Sequence, residues 1–339
     1  MNQLDEQEIV PKLACEVKKI IGNARENVAR SVNRETLTVY WETGRLISTR
    51  NVNGRNESSD RSFMLALSKI LTEEVGKGFS RSNLIKMKQF YEAYPDGQTL
   101  SDHLSWSHYS TLLAVSDLDA RKFYEKECVN SRWSVRELAR QVDSSLFERL
   151  LLSDGNTSKE KVLELARVGQ VIQKPEDIVR DPYVLEFLGL PEKKPIKEST
   201  LEKKLLEHLE DFLLELGRGF MFVGSQQRVT INNVHYFVDL VFYNKLLKAY
   251  VLIDLKIGHF RLEHAGQMNG YVNYYKTEVN ASDDNDPIGI ILCADKDSVA
   301  AEFALGGLEN HIFASKYTLL LPDKEQLIKQ VEYVMAQNE

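Results

Sequence analysis

The stretch "AYVLIDLKIGHF", residues 249–260, decides how this sequence folds. Val251, Leu252, Ile253 and Leu255 give it the apolar, β-branched texture of a buried strand. Asp254 and Lys256 break that texture, and a buried charge is expensive unless it is paired or bound to a metal. Side chains two apart on a strand share a face, so Asp254 and Lys256 project together while Ile253 and Leu255 point into the opposite layer. A carboxylate and an ammonium therefore stand side by side at a strand end.

Working outward, "VHYFVDLVFY" (234–243) is a second strand-like run, joined to the first by the short turn "NKLLK" (244–248), and Asp239 interrupts it in the same way. "FMFVGSQQRVTI" (220–231) is a third. Before it, "STLEKKLLEHLEDFLLELGRG" (199–219) reads as one helix with Ser199 or Thr200 as its cap and Gly217 as its stop. Glu202 lies on the face of that helix that also carries Leu206, Leu209 and Leu213. After it come a helix ("EHAGQMNGYVNYYKTEV", 263–279), a strand ("IGIILCA", 288–294), and a further strand and closing helix ("YTLLLPDKEQLIKQVEYVMA", 317–336). The order α-β-β-β-α-β predicts a mixed sheet flanked by helices.

Two carboxylates on neighbouring strands, Asp239 and Asp254, suit a hard divalent cation such as Mg²⁺, which pairs protein oxygens with phosphate oxygens. Lys256 beside them can orient or help deprotonate a water and stabilise charge on the phosphate. Glu202 is a candidate third carboxylate, although Ser199 and Glu202 also stand at capping-box spacing. An isolated D-x-K is far more often an ordinary ion pair than a catalytic one; here it coincides with an acid on the preceding strand and another on the preceding helix. Gln267, on a side shared with Tyr271 and Tyr274, could serve the site or be a surface amide, and Gln226 and Gln227 are open in the same way. His259 and His264 lie five positions apart with no nearby cysteine, which argues against zinc. No Gly-rich phosphate loop, Ser-His-Asp set or dinucleotide fingerprint is visible.

Residues 1–150 read as a run of helices. "ENVARSVNRETLTVYWETGRLIS" (26–48) places Val28, Val32, Leu37, Tyr40, Trp41 and Leu46 near helical spacing, and "FMLALSKILTEEVG" (63–76) stops at Gly76. In "GKGFSRSNLIKMKQFYEAYP" (76–95) Ser80 caps a helix with Leu84, Met87, Phe90 and Tyr91 inside and Arg81, Asn83, Lys86 and Lys88 outside. Ser134 and Glu137 form a capping box in "RWSVRELARQV" (132–142). Short helices with tight connections suit a helix-turn-helix or winged-helix module, whose recognition helix needs a basic outer face; any amphipathic surface helix gives the same pattern. Beyond "LSDGNTSKEK" (152–161), the apolar "DPYVLEFLGL" (181–190) reads as a clip that docks on a domain, and "PEKKPIKEST" (191–200) as a charged linker. The expected division is a helical domain over 1–170, a linker with its docking segment over 171–198, and the sheet domain over 199–339.

At 339 residues two domains are the first expectation. The formal net charge is −7, but residues 1–150 hold 22 basic against 21 acidic side chains and the remainder 21 against 29, so the acids collect C-terminally. A local basic face can still meet phosphate. Cys15, Cys128 and Cys293 form no CxxC pair, which argues against a disulfide framework. The N-terminus lacks the pattern of a signal peptide and no run is long and apolar enough to span a bilayer, so a soluble, cytoplasmic protein with no membrane association is expected.

An aspartate, then D/E-x-K on the adjacent strand, after an acid-bearing helix, resembles the PD-(D/E)XK nuclease superfamily. Longer strings sharpen this. "FLLELGRGFMFVGSQQRV", "YFVDLVFYNKLLKAYVLIDLKIGHF" and "EHAGQMNGYVNYY" resemble the C-terminal domain of the bacterial YhcG-type family, catalogued as domain of unknown function 1016. "VYWETGRLIS", "GKGFSRSNLIKMKQFYEAYP", "LSWSHYSTLL", "FYEKECVNSRWSVRELARQV" and "DPYVLEFLGL" resemble that family's partner domain, regarded as winged-helix-like and DNA-binding. The resemblance implies a restriction-endonuclease-like αβββαβ domain and a nuclease acting on DNA with Mg²⁺ or Mn²⁺. It carries the strand aspartate onto Asp239, the acidic-x-lysine onto Asp254 and Lys256, the helix glutamate onto Glu202 and the later glutamine onto Gln267. Asp239, Asp254 and Glu202 are then the expected metal ligands, and Arg81, Asn83, Lys86 and Lys88 the expected DNA contacts. Cutting both strands needs two sites, so a homodimer is expected. A non-catalytic nucleic-acid-binding regulator or assembly subunit, and an RNA-directed nuclease, are the alternatives. Three features depart from the family pattern: Asp254 stands where glutamate is usual, Ser225 where arginine commonly precedes glutamine, and "NVNGRNESSDRS" (51–62) is longer and more polar than expected.

Overall fold

A computed structural model describes residues 3–50, 57–97, 100–153, 158–191, 196–295, 298–306, 308 and 311–338. Residues 51–56 of the polar insertion, and 192–195 of the charged linker, lie outside the described residues. The chain parts into two compact units, Met1–Arg121 with Cys128–Leu138, and Lys122–Glu127 with Ala139–Glu339. No helix among the described residues is long and apolar enough to cross a membrane.

The first unit is built on α1 (Gln3–Arg50), α2 (Glu57–Glu74), α3 (Arg81–Ala93), α4 (Trp106–Leu112), the ends of α5 (Leu118–Ser131) and the start of α6 (Val135–Asp143). Its local signals act as the sequence suggests. The Ser80 hydroxyl accepts from the Asn83 N–H and starts α3, which buries Leu84, Met87 and Phe90. The Ser134–Glu137 capping box forms, with the Ser134 N–H donating to Glu137 Oε2 at 2.6 Å. Gly76, at φ 113°, follows the end of α2. The apolar positions of 26–48, however, divide between two faces of α1: Leu37 and Ile47 are buried, whereas Val28, Val32 and Leu46 are exposed. Among its described residues this unit has no β-strand, so the wing implied by the resemblance has no counterpart there.

The second unit holds a six-stranded sheet of order β1-β6-β5-β4-β3-β2, made by β1 (Tyr183–Val184), β2 (Phe220–Ile231), β3 (Val234–Asn244), β4 (Ala249–His259), β5 (Ile288–Asp295) and β6 (His311–Thr318). β2, β3 and β4 are antiparallel neighbours, and β4, β5, β6 and β1 run parallel. The clip 181–190 supplies β1 and seats Tyr183, Leu185 and Leu188 in the core. α7 (Leu146–Leu152) and α8 (Lys159–Val168) belong to this unit, which begins well before the charged linker that marked the expected boundary. α7 is tied to this unit by charge: Arg149 on α7 pairs with Glu215 at 2.6 Å, and both are buried.

The predicted single helix over 199–219 is two helices, α9 (Glu198–Glu207) and α10 (Leu209–Leu216), divided at His208 with φ −115°. Lys197 stands at the cap of α9 with no side-chain bond, so Ser199 and Thr200 are inside the helix and cap nothing. Gly217, at φ 104°, ends α10, and a Cβ there would come within 2.8 Å of Arg180 Nη2. One layer of core packs α9 and α10 on Val251, Ile253 and Leu255. The other packs α11 (Leu262–Tyr274) on Leu252 and Ile291. α12 (Ser298–Leu305) and α13 (Lys324–Asn338) complete the chain.

Candidate active site

The β3–β4 ladder runs from Asn244↔Ala249 to Leu240↔Ile253 and stops there. The next residues on the two strands are Asp239 and Asp254. Asp239 ends the ladder itself, because its Oδ2 accepts the Leu255 N–H at 2.7 Å in place of a backbone carbonyl. Beyond this point β3 pairs only with β2, and β4 only with β5. The sheet therefore forks, and the two aspartates stand at the crotch.

Asp254 is 2% exposed. Its Oδ2 lies 2.6 Å from Lys256 Nζ, so the two-residue spacing on the strand brings them together as predicted. Burial pushes the Asp254 carboxyl up to about 6 against the pull of the Lys256 ammonium, with Asp239 adding to the rise. Burial alone would lower Lys256, but the Asp254 carboxylate outweighs it and holds the ammonium above the ordinary lysine value. At neutral pH the proton of this pair resides on nitrogen. In this state Lys256 has protons to donate to a neighbouring oxygen and no free lone pair to accept one.

Glu202 joins through an amide. Gln226 Nε2 donates to Glu202 Oε2 and to Asp239 Oδ1, each at 3.0 Å. Gln226 reaches both because its backbone is left-handed, with φ 48°, inside an otherwise extended strand. With Ser199 no cap, the capping-box reading of Glu202 falls. Burial raises its carboxyl, Gln226 counteracts, and Asp239 raises it further. Glu198, one helical turn before Glu202, is a further acid that acts on both Asp254 and Lys256. The sequence reading missed it; its signal is the i,i+4 spacing to Glu202.

The YhcG PDDEXK nuclease domain is matched over residues 176–332 and the DUF1016 N-terminal domain over 16–149. "Putative nuclease YhcG" of Escherichia coli (strain K12) is 38% identical over 94% of this chain and 92% of its own length. The chain belongs to the YhcG family of PD-(D/E)XK nucleases. Among solved structures, a repair endonuclease from Pyrococcus abyssi is similar at 19% identity and TM-score 0.27, over 39% of this chain and 50% of that one. EndoMS in apo form is similar at 17% identity and TM-score 0.26, over 39% and 49%.

Other residues singled out in the sequence lie elsewhere. Gln267 on α11 donates to the Tyr271 hydroxyl at 2.6 Å, and that hydroxyl donates to the Phe237 carbonyl at 3.1 Å. It supports the strand two residues before Asp239 rather than touching a carboxylate. His264 Nδ1 accepts the Arg261 N–H at 3.2 Å and caps α11. In the first unit, Asn83 is used internally: its Nδ2 donates to the Gly78 carbonyl at 2.6 Å and its Oδ1 accepts from Trp106 Nε1 at 3.1 Å. Arg81, Lys86 and Lys88 are half-buried rather than outside, and Lys88 lies 3.8 Å from Glu92.

PD-(D/E)XK nucleases generally use divalent ions. Among the described residues no group of three His, Cys, Asp or Glu side chains forms a ready metal cage. The donors present are carboxylate oxygens, and buried Asp254 Oδ2 has an ammonium beside it but no well-aligned hydrogen bond. An all-oxygen set of this kind suits Mg²⁺ or Mn²⁺, which take one or two carboxylates together with substrate phosphate and water.

Proposed function

We propose that this chain is a metal-dependent endodeoxyribonuclease and that it hydrolyses DNA phosphodiester bonds at the fork between β3 and β4. The observation that carries this reading is the meeting of Asp239, Asp254 and Lys256 where the ladder ends, with Asp239 tied to the Leu255 N–H at 2.7 Å and Asp254 to Lys256 at 2.6 Å.

Asp239 and Asp254, with Glu202, would hold Mg²⁺ or Mn²⁺; the bound ion neutralises charge on the scissile phosphate and acidifies a water. The protein's own part is positional. The Leu255 N–H and the Gln226 amide fix the two oxygens of Asp239. Lys256, kept protonated by Asp254, donates to the attacking water and to the phosphate as negative charge grows there. The β2–β3 hairpin extends the same face: Arg228 pairs with Phe237 across the hairpin, both are exposed, and Phe237 is two residues from Asp239. A cation and an aromatic ring in that place suit phosphate and an unstacked base. The helices of the first unit position DNA through Arg81, Lys86 and Lys88, and a homodimer presents two sites to the two strands.

Purified protein should cut DNA with Mg²⁺ or Mn²⁺, and Asp254→Ala or Lys256→Ala should abolish cutting with the circular dichroism spectrum unchanged. Undiminished cleavage by either variant removes the assignment. A panel of linear, single-stranded and branched DNA with RNA alongside decides the substrate, and cleavage of RNA alone removes the deoxyribonuclease reading.

A further inference from the structure

α1 carries apolar side chains on two opposite faces. Its inner face is covered: Leu37 and Ile47 are buried, and Gly44 lies so close to the Met87 carbonyl of α3 that a Cβ would collide with it. The outer face is not. Val10, Val17, Ile21, Val28, Val39 and Leu46 are all exposed. At 100° per residue these positions fall within about 20° of one straight line, about 54 Å long at 1.5 Å per residue. Leu37 falls half a turn away from that line. Residues 10–29 have no buried member at all, so this stretch of α1 is a bare helix, while the second half of α1 rests on α3. A bare helix of this length is marginal in water unless an apolar stripe is covered.

We propose that a second copy of this chain covers it, by antiparallel pairing of α1 with α1 about a two-fold axis at Val28. Two features select this occupant and direction. The bare half and the anchored half are of similar length, so antiparallel pairing lays each bare half on the outer face of its partner's anchored half, and Val17 meets Val39 and Val10 meets Leu46. Charge selects the same direction. Glu35 is exposed and Glu42, paired with Arg45 at 2.7 Å, is half-buried; both lie close to the stripe. In parallel register each faces its own copy, which is repulsive; in antiparallel register they fall opposite Ile21 and Ala14, within a turn of Lys18 and Arg25. The stripe is a self-complementary, isologous surface, and it is independent of the nuclease chemistry.

Light scattering and sedimentation of the full chain test this. The wild type should be a dimer at micromolar concentration. Val28→Glu puts two carboxylates on the axis and should raise the dissociation constant at least tenfold, with the tryptophan fluorescence of the first unit unchanged and any loss of helical signal confined to the uncovered stretch of α1; Val39→Glu should do the same. In a Cys15→Ser background, oxidised Val17→Cys/Val39→Cys protein should give an interchain disulfide that neither single variant gives. A monomeric wild type, a dimer indifferent to Val28→Glu and Val39→Glu, or cross-linking by Val17→Cys alone each overturns the proposal, the last by showing parallel chains.

Discussion

Replacing Glu215 with Gln tests what holds the helices of the second unit to its sheet. The carboxylate is wholly buried and accepts from Arg149 Nη1 at 2.6 Å, the Val184 N–H at 2.9 Å and Arg140 Nη1 at 3.3 Å, with Arg180 Nη1 at 3.6 Å. Burial pushes this carboxyl up, but the guanidiniums of Arg149, Arg180 and Arg140 overcome it and hold it below the ordinary carboxylate range. Glutamine keeps the shape and removes the charge. Arg140 retains Glu186 at 3.0 Å. Among the described residues Arg149 and Arg180 have no other acid in ion-pair contact, and breaking a buried pair in this way costs about 3–5 kcal/mol. With a urea slope of roughly 2 kcal/mol per molar, the midpoint of this unit should fall by about 2 M. The three tryptophans, Trp41, Trp106 and Trp133, all belong to the first unit. Their fluorescence is therefore an internal control, and hydrogen exchange of peptides spanning 183–188 and 209–216 reads the second unit. The sign with pH follows from the lowered carboxyl: its stabilisation is complete above the unfolded carboxylate value, about 4.3, and is lost as pH falls through the lower folded value. The wild type should lose this increment below pH 4 and Glu215→Gln should lack it at every pH. A loss under about 1 kcal/mol, or an unchanged acid transition, refutes the charge argument.

Gln226→Leu removes the amide that bridges Glu202 and Asp239 and should lower cleavage about 10–100-fold, the usual size for a residue that orients ligands; Mn²⁺ affinity by calorimetry should fall in parallel, and unchanged values assign the amide no role. Arg228→Ala should weaken DNA binding evenly across sequences and reduce the salt slope by about one unit, measured by anisotropy with Asp254→Asn as a non-cutting background. Phe237→Ala in the same background should cost about 1–3 kcal/mol on single strands; equal loss on intact duplex counts against base stacking.

The parts of the fold legible in the sequence are those set by local chemistry. Ser80, Ser134 with Glu137, Gly76 and Gly217 each satisfy or end a helix by contacts within a few residues, so a one-dimensional reading reaches them. The Asp254–Lys256 pair is equally local, a consequence of the two-residue pleat. Gln226 is of another kind. Its value to the site comes from a left-handed backbone inside a strand and from two acids 24 and 13 residues away, and neither is encoded in its neighbours.

Asn83 and α1 show the same boundary from the opposite side. The periodicity that places Asn83 with Arg81, Lys86 and Lys88 outside α3 is sound for a helix with one partner. The Gly78 carbonyl and the Trp106 indole, however, arrive from loops and helices on either flank and consume both ends of its amide. On α1 a single spacing mixes Val28, Val32 and Leu46 with Leu37, Tyr40 and Trp41, because residues half a turn apart at 3.6 per turn are interleaved in the sequence. Periodicity says that a face is apolar; only the arrangement of the other helices says which face they cover. The uncovered one is then the place where binding energy is left unspent, and on α1 it runs from Val10 to Leu46.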